Sequence, residues 1–179
     1  MVKDIESVIF GCIKGKRASQ EALYRGYYAY AMTVASAYSQ SEFEAEEIAN
    51  DGFMKVFGRI KEYDSQYPFT AWFRRIIVNS AIDHFRKNKK HNFHLEVDHA
   101  AGIETDDLSA IDRLSANEMM ELVRSLPTAY RTVFTLYVVE GYKHHEIADQ
   151  LGISEGTSKS NFARARQKLQ LEIEKRLGK

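Results

Sequence analysis

Only one cysteine, Cys12, occurs in 179 residues, and only two prolines, Pro68 and Pro127. A lone cysteine excludes an internal disulfide and any zinc site built on cysteines, which fits a reducing cytoplasm. Two prolines leave long stretches of chain without a helix breaker. Long apolar runs are missing too. Runs such as Ile76-Ile77-Val78 and Val138-Val139 fall far short of the ~20 residues a membrane span needs. The opening Met1-Val2-Lys3-Asp4-Ile5-Glu6 lacks the basic-then-apolar form of a secretory signal. What is present is core material: 44% apolar residues, with ten Phe and ten Tyr against 28% charged. That excludes a disordered chain. The reading is a soluble, cytoplasmic protein of one ordinary domain or two small ones, with no membrane insertion.

Net charge is absent as well, since 25 basic residues meet 25 acidic ones. Zero charge would argue against nucleic acid, but the sum hides a pattern. Residues 1–91 carry 14 basic and 11 acidic side chains, and residues 113–179 carry 11 and 8. Between them, 92–112 holds six acids (Glu96, Asp98, Glu104, Asp106, Asp107, Asp112) and no Lys or Arg. Two mildly basic blocks flank an acidic strip. The strip also loses periodicity and contains Gly102, so it reads as a flexible linker between domains at 1–91 and 113–179.

Both blocks read as helical, because no stretch sustains the period-two alternation of a strand. The first is expected to form helices near 3–15, 18–39, 42–62 and 69–89. Ala45, Ile48, Ala49, Phe53, Val56, Phe57 and Ile60 share one stripe, and Phe69, Phe73, Ile76, Ile77 and Phe85 another. The second block is expected to form helices near 113–125, 128–140, 143–151 and 154–177, broken at Pro127, Gly141 and Gly152. The fold class is therefore all-α: two small helical domains, the second with a helix-turn-helix.

That last element is the sharpest local signal. Ala148 lies on a helix ending at Gly152, Ile153 turns back to the core, and Ser154 is placed to cap the next helix. The next helix carries, up to Lys168, the cations Lys159, Arg164, Arg166 and Lys168 against one acid, Glu155. Tight helical corners with Gly also occur in other all-α domains. A basic second helix favours entry into a DNA major groove. In the first block, residues 74–90 carry Arg74, Arg75, Arg86, Lys87, Lys89 and Lys90 against Asp83. Asn79 and Asp83 fall beside these cations, able to read base edges while cations hold phosphates. Tyr63, Tyr67 and Phe69 precede that helix, as stacking of unpaired bases would require. A solvated charged face over an aromatic core is the bland alternative, and Trp72 is read as core. Glu42, Glu44, Glu46, Glu47 and Asp51 crowd one helix without a cation, with Asn50 and Met54 nearby. Such a face cannot meet phosphate; it meets either solvent or a basic protein partner.

Catalysis finds no footing. Six histidines (His84, His91, His94, His99, His144, His145) show no metal-ligand spacing, and no phosphate loop or nucleophile motif occurs. No enzyme activity, cofactor or metal is expected.

Two sets of residues then assemble into one pattern. Ala45-Glu46-Glu47-Ile48, Phe53-x-Lys55-Val56, Phe69-x-Ala71-Trp72-Phe73, Ile76, Asn79, Ala81-Ile82-Asp83 and Arg86-Lys87 closely resemble conserved region two of extracytoplasmic-function (ECF) sigma factors. Leu126-Pro127, Tyr130-Arg131, Val133-Phe134, Glu140-Gly141, Glu146-Ile147-Ala148, Gly156-Thr157, Lys159-Ser160 and Arg164-Ala165-Arg166 resemble region four. The resemblance implies a subunit that joins core RNA polymerase, directs it to promoter DNA and is held in check by an anti-sigma factor. It assigns Glu46, Glu47, Asn50, Asp51 and Met54 to the polymerase. Tyr63, Asp64, Tyr67, Phe69, Asn79, Asp83, Arg86 and Lys87 fall to the minus-ten element. Thr157, Lys159, Ser160, Asn161, Ala163, Arg164 and Lys168 fall to the minus-thirty-five element. Asn50 stands where the family usually has Gln, and Glu47 where Asp is common. Ser158 replaces a usual apolar residue, which is expected to loosen helix packing, and Asn161 replaces a usual Arg. The competing function is a stand-alone helix-turn-helix regulator. Against it, residues 1–91 lack the alternating strands and helices of a receiver.

Overall fold

A computed structural model describes residues 4–88 and 116–176, except the side chains of Ala116 and Asn117. The predicted linker 92–112 and the cations Lys89 and Lys90 lie outside the described residues. The chain divides into two compact units, Met1–His84 and Phe85–Lys179. The division falls within one continuous helix, whereas the sequence reading puts the boundary at 91. Among the described residues there are eight α-helices and no strand, and none is long and apolar enough to cross a membrane.

The first unit is built on α1 (Ile5–Ile13), α2 (Arg17–Ser36), α3 (Glu42–Arg59) and α4 (Phe69–Lys87). Asp4 caps α1 by accepting the Ser7 N–H at 3.2 Å. At α3, Ser41 Oγ accepts from Glu44 N–H at 3.1 Å, and the Glu44 carboxylate takes the Gln40 N–H at 2.6 Å. These exchanges satisfy donors that a helix start leaves orphaned. The stripe predicted for α3 is buried except at the half-buried Phe57, and Phe69, Phe73, Ile76, Ile77 and Phe85 of α4 are buried. Tyr27, Phe53, Phe69 and Phe73 form the aromatic centre of the core. Tyr27 lies 5.1 and 5.2 Å from Phe69 and Phe73, and Phe53 lies 5.3 Å from Phe73. α3 and α4 meet at Gly52, where an added Cβ would overlap the Ile77 Cδ1 methyl.

A 3₁₀ turn at Ile60–Glu62 ends α3. Residues 63–68 follow as the predicted loop, and the Pro68 carbonyl accepts the Ala71 N–H at 3.0 Å as α4 begins.

The second unit holds α5 (Ala116–Ser125), α6 (Thr128–Val138), α7 (His144–Leu151) and α8 (Glu155–Arg176). Its core joins Leu122, Val133, Leu136, Ile147, Leu151, Ala165 and Leu169. Arg131 is fully buried and works as a cap: its Nη1 donates to the carbonyls of Arg124 and Leu126 at 2.8 and 3.2 Å. These are groups the end of α5 would leave unsatisfied. Between α7 and α8, Gly152 sits at φ 64°, a conformation strained for a residue with a Cβ. Ile153 N–H bonds back to the Ala148 carbonyl at 3.1 Å. Ser154 Oγ then accepts the Thr157 N–H at 2.9 Å and so caps α8. The helix-turn-helix is formed as its sequence predicts.

Candidate functional site

Three groups of side chains carry the candidate chemistry. The first lies on α3, on the face away from the core. Glu47, Asn50 and Asp51 are exposed there and Glu46 is half-buried. Met54 is 71% exposed, and Phe43, which the sequence reading missed, is 70% exposed. Phe43, Glu47, Asn50, Asp51 and Met54 step by three and four, so they share one face. Two large apolar side chains bracketing carboxylates are unusual on a purely solvated helix. The signal was present in the sequence: Phe43 is aromatic but lies off the buried stripe.

Neighbouring helices hold several of these polar groups. Tyr28 Oη donates to Glu46 Oε1 at 3.3 Å, and Tyr24 Oη to Asn50 Oδ1 at 3.1 Å. His84 of α4 lies between two carboxylates, with Nδ1 3.4 Å from Glu44 and Nε2 3.6 Å from Glu47.

The second group lies on α4 and the loop before it. Tyr67 is exposed, and Asp64 is exposed with Oδ1 accepting the Gln66 N–H at 2.9 Å. Tyr63 is half-buried, and its hydroxyl donates to the Tyr67 carbonyl at 2.6 Å, bracing the loop. Burial, then the charges of Glu6 and Asp64, push the Tyr63 phenol pKa up. The hydroxyl therefore keeps its proton at neutral pH and stays a donor. Asn79 is half-buried, and its amide makes no hydrogen bond among the described residues. Such an amide retains both donor and acceptor capacity for a base edge. Arg86 and Lys87 are exposed.

One assignment in this group is corrected. Phe69 is 4% exposed and packs against Tyr27, Tyr63 and Phe73, so it offers no ring face to a base. Asp83 is half-exposed and pairs with Lys55 Nζ at 2.7 Å, which links α3 and α4. Trp72, expected in the core, is instead half-buried against Tyr63 and Phe69 at 5.5 and 5.7 Å.

The third group lies on α8. Lys159, Ala163 and Lys168 are exposed, while Thr157, Ser160 and Arg164 are half-exposed. Lys159 pairs with Glu155 at 2.8 Å, and Arg164 Nη1 donates to the Tyr130 hydroxyl at 3.3 Å. Ser160 Oγ donates to the Thr157 carbonyl at 3.0 Å.

Asn161 is the correction here. It is 8% exposed on the inner stripe with Ser158, Ala165, Leu169 and Ile173, and its Nδ2 has no hydrogen-bond partner. It faces the core of its unit, not a groove. Ser158 was expected to loosen packing; it is fully buried and its Oγ lies 3.0 Å from His144 Nδ1. The His144 ring stacks on Tyr137 at 4.5 Å and meets Phe162 edge-on at 5.7 Å. Burial first, and the Lys159 charge second, lower the His144 pKa from its ordinary value near 6.5.

Among the described residues no three His, Cys, Asp or Glu side chains gather as metal ligands. A helix-turn-helix with cations on its second helix, in a chain with a separate acidic and apolar helix face, defines a class: a helical DNA-binding transcription factor. Comparison with known proteins narrows it. Residues 23–91 match the Sigma-70 region 2 model and residues 116–169 the Sigma-70 region 4 model. The ECF RNA polymerase sigma factor SigW of Bacillus subtilis is 30% identical over 143 residues, covering 73% of this chain and 75% of SigW. SigM of Mycobacterium tuberculosis, also an ECF sigma factor, is 24% identical over 163 residues, 88% of this chain and 78% of SigM. The solved structure of CnrH in complex with the cytosolic domain of CnrY covers 96% of this chain and 98% of that one, at 20% identity and a TM-score of 0.48. The chain belongs to the ECF RNA polymerase sigma factors, which initiate transcription and are not enzymes.

Proposed function

We propose that three surfaces of this sigma factor divide the work of initiation among named residues. The α3 face of Glu46, Glu47, Asn50, Asp51 and Met54, extended by Phe43, docks on a basic, partly apolar surface of core RNA polymerase. Tyr63, Asp64, Tyr67, Asn79, Asp83, Arg86 and Lys87 engage the minus-ten element, with Trp72 beside them. Thr157, Lys159, Ser160, Ala163, Arg164 and Lys168 read the minus-thirty-five duplex. Phe69 and Asn161 support the scaffold. Domains at 1–91 and 113–179 carry these tasks on either side of the 92–112 linker, in the cytoplasm, and an anti-sigma factor is a further partner.

The observation that carries the reading is the α3 face. Its carboxylates would repel phosphate, and its apolar ends, Phe43 and Met54, are the most exposed large apolar side chains among the described residues. A DNA-binding regulator acting alone has no use for such a face. Energetics agree. Opening duplex DNA costs about 1.4 kcal/mol per base-pair step, and stacking one freed base on an aromatic ring returns about 1–3 kcal/mol. A few aromatic side chains cannot sustain a transcription bubble without a larger machine. Charge reversal at Glu47 and Asp51 tests the assignment: the double variant keeps its helical circular dichroism and no longer co-purifies with core polymerase. Undiminished co-purification would reduce the face to a solvated one.

A further inference from the structure

We infer that Tyr24 and Tyr28 of α2 are positioning residues for polymerase docking, holding Asn50 and Glu46 of α3 in the conformation that meets the polymerase. The inference rests on the docking role proposed above. Tyr24 and Tyr28 are four apart on α2, and Glu46 and Asn50 are four apart on α3. Each pair therefore lies one turn apart on its own helix face. The partners run in opposite order, Tyr24 to Asn50 and Tyr28 to Glu46, at 3.1 and 3.3 Å, so antiparallel helices are joined by two rungs.

The rungs are anchored at their base. Tyr24 packs on Phe53 at 4.5 Å and on Tyr28 at 5.4 Å, and Phe53 belongs to the core. A ring fixed in this way carries its hydroxyl to a fixed point. Burial and the neighbouring Glu46 raise the Tyr28 pKa, so this hydroxyl stays protonated and donates.

Glu and Asn on an open helix face sample several rotamers, and ordering them on binding opposes association. Here the ordering is present before the partner arrives. Orientation is set too. Asn50 Oδ1 is occupied by Tyr24, which leaves the amide donors for the partner. Glu46 Oε1 is occupied by Tyr28, which leaves Oε2 to accept. The face thus offers one acceptor and one pair of donors a helical turn apart.

Replacement by phenylalanine removes only the hydroxyls and keeps the ring packing. Labelled full-length variants are titrated with purified core polymerase and followed by fluorescence anisotropy. Tyr24→Phe and Tyr28→Phe should each weaken binding about two- to tenfold, the cost of ordering one freed side chain on association. The melting curve should fall only by the few degrees that one hydrogen bond is worth, with the protein fully folded at the assay temperature. A merely structural role is separated by coupling: Tyr28→Phe should have no further effect in a Glu46→Ala background, nor Tyr24→Phe in an Asn50→Ala background. The inference is overturned if Tyr24→Phe/Tyr28→Phe binds like the wild type while Glu47→Lys/Asp51→Lys fails to bind. It is overturned equally if the Tyr28→Phe loss is undiminished without Glu46. If the charge-reversed variant also binds normally, the docking face itself is misassigned and the inference falls with it.

Discussion

Replacing Ser158 by alanine deletes one oxygen from a fully buried site on the inner face of α8. The loss is of the 3.0 Å contact with His144 Nδ1, a net contribution of about 0.5–1.5 kcal/mol. Leaving a buried nitrogen unpaired would cost about 1–3 kcal/mol, but the His144 ring is only half-buried and water can reach it. The expected destabilisation of the second unit is therefore about 1–2 kcal/mol. For a unit of this size that lowers its midpoint by about 4–8 °C per kcal/mol. His144→Phe keeps the stack on Tyr137 and strands the buried hydroxyl instead. The helix itself can partly relieve that, because a serine can donate to the carbonyl one turn back. With both partners apolar, no orphan remains, so Ser158→Ala/His144→Phe should cost less than the two single changes summed, by about 0.5–3 kcal/mol.

The same pair predicts a pH dependence. Burial and Lys159 lower the His144 pKa from about 6.5, so the folded unit binds fewer protons than the unfolded chain, and stability rises with pH there. The contribution is fully present above about pH 6.5 and is lost as pH falls through the lowered folded value. Hydrogen exchange of α7 and α8 amides in the full chain measures all three variants and the pH profile. Additive single effects, or a His144→Phe profile as steep as that of the wild type, would refute the reasoning.

Other expectations follow from single contacts. Gly52→Ala places a methyl against Ile77 Cδ1; the end of that side chain can turn, so denaturant titration should show a loss of about 1–3 kcal/mol without change of fold. Asn79→Ala should leave upstream duplex recognition intact and impair strand opening, while Lys159→Ala should do the reverse. A template with a pre-melted minus-ten region should rescue the first and not the second, as read by permanganate reactivity of unpaired thymines. Equal rescue would refute separate roles.

Much of this was legible in the sequence because local rules agreed with one another. Ser41 and Ser154 cap, Gly152 turns, and the stripe from Ala45 to Ile60 repeats with helical period, so elements end within a few residues of where they were expected. Placement across helices was less legible. The pairing of Asp83 with Lys55, 28 residues away in sequence, follows only from the register of α3 against α4. Phe69 was legible both as part of the α4 stripe and as a base contact beside Tyr67; Tyr27 and Phe73 packing over it decide for the stripe. Asn161 was a misreading that periodicity could have prevented, since 158, 161, 165 and 169 form one inner stripe. The Tyr24 and Tyr28 rungs leave no sequence signal, because each depends on the register between α2 and α3.

The central claim is that this chain confers promoter selection on a polymerase that lacks it. Run-off transcription with purified core polymerase tests it directly, on a genomic template pool with and without the full-length chain. The account predicts discrete transcripts that appear only when the chain is added and vanish with Glu47→Lys/Asp51→Lys. The same pattern of transcripts with and without the chain would contradict it.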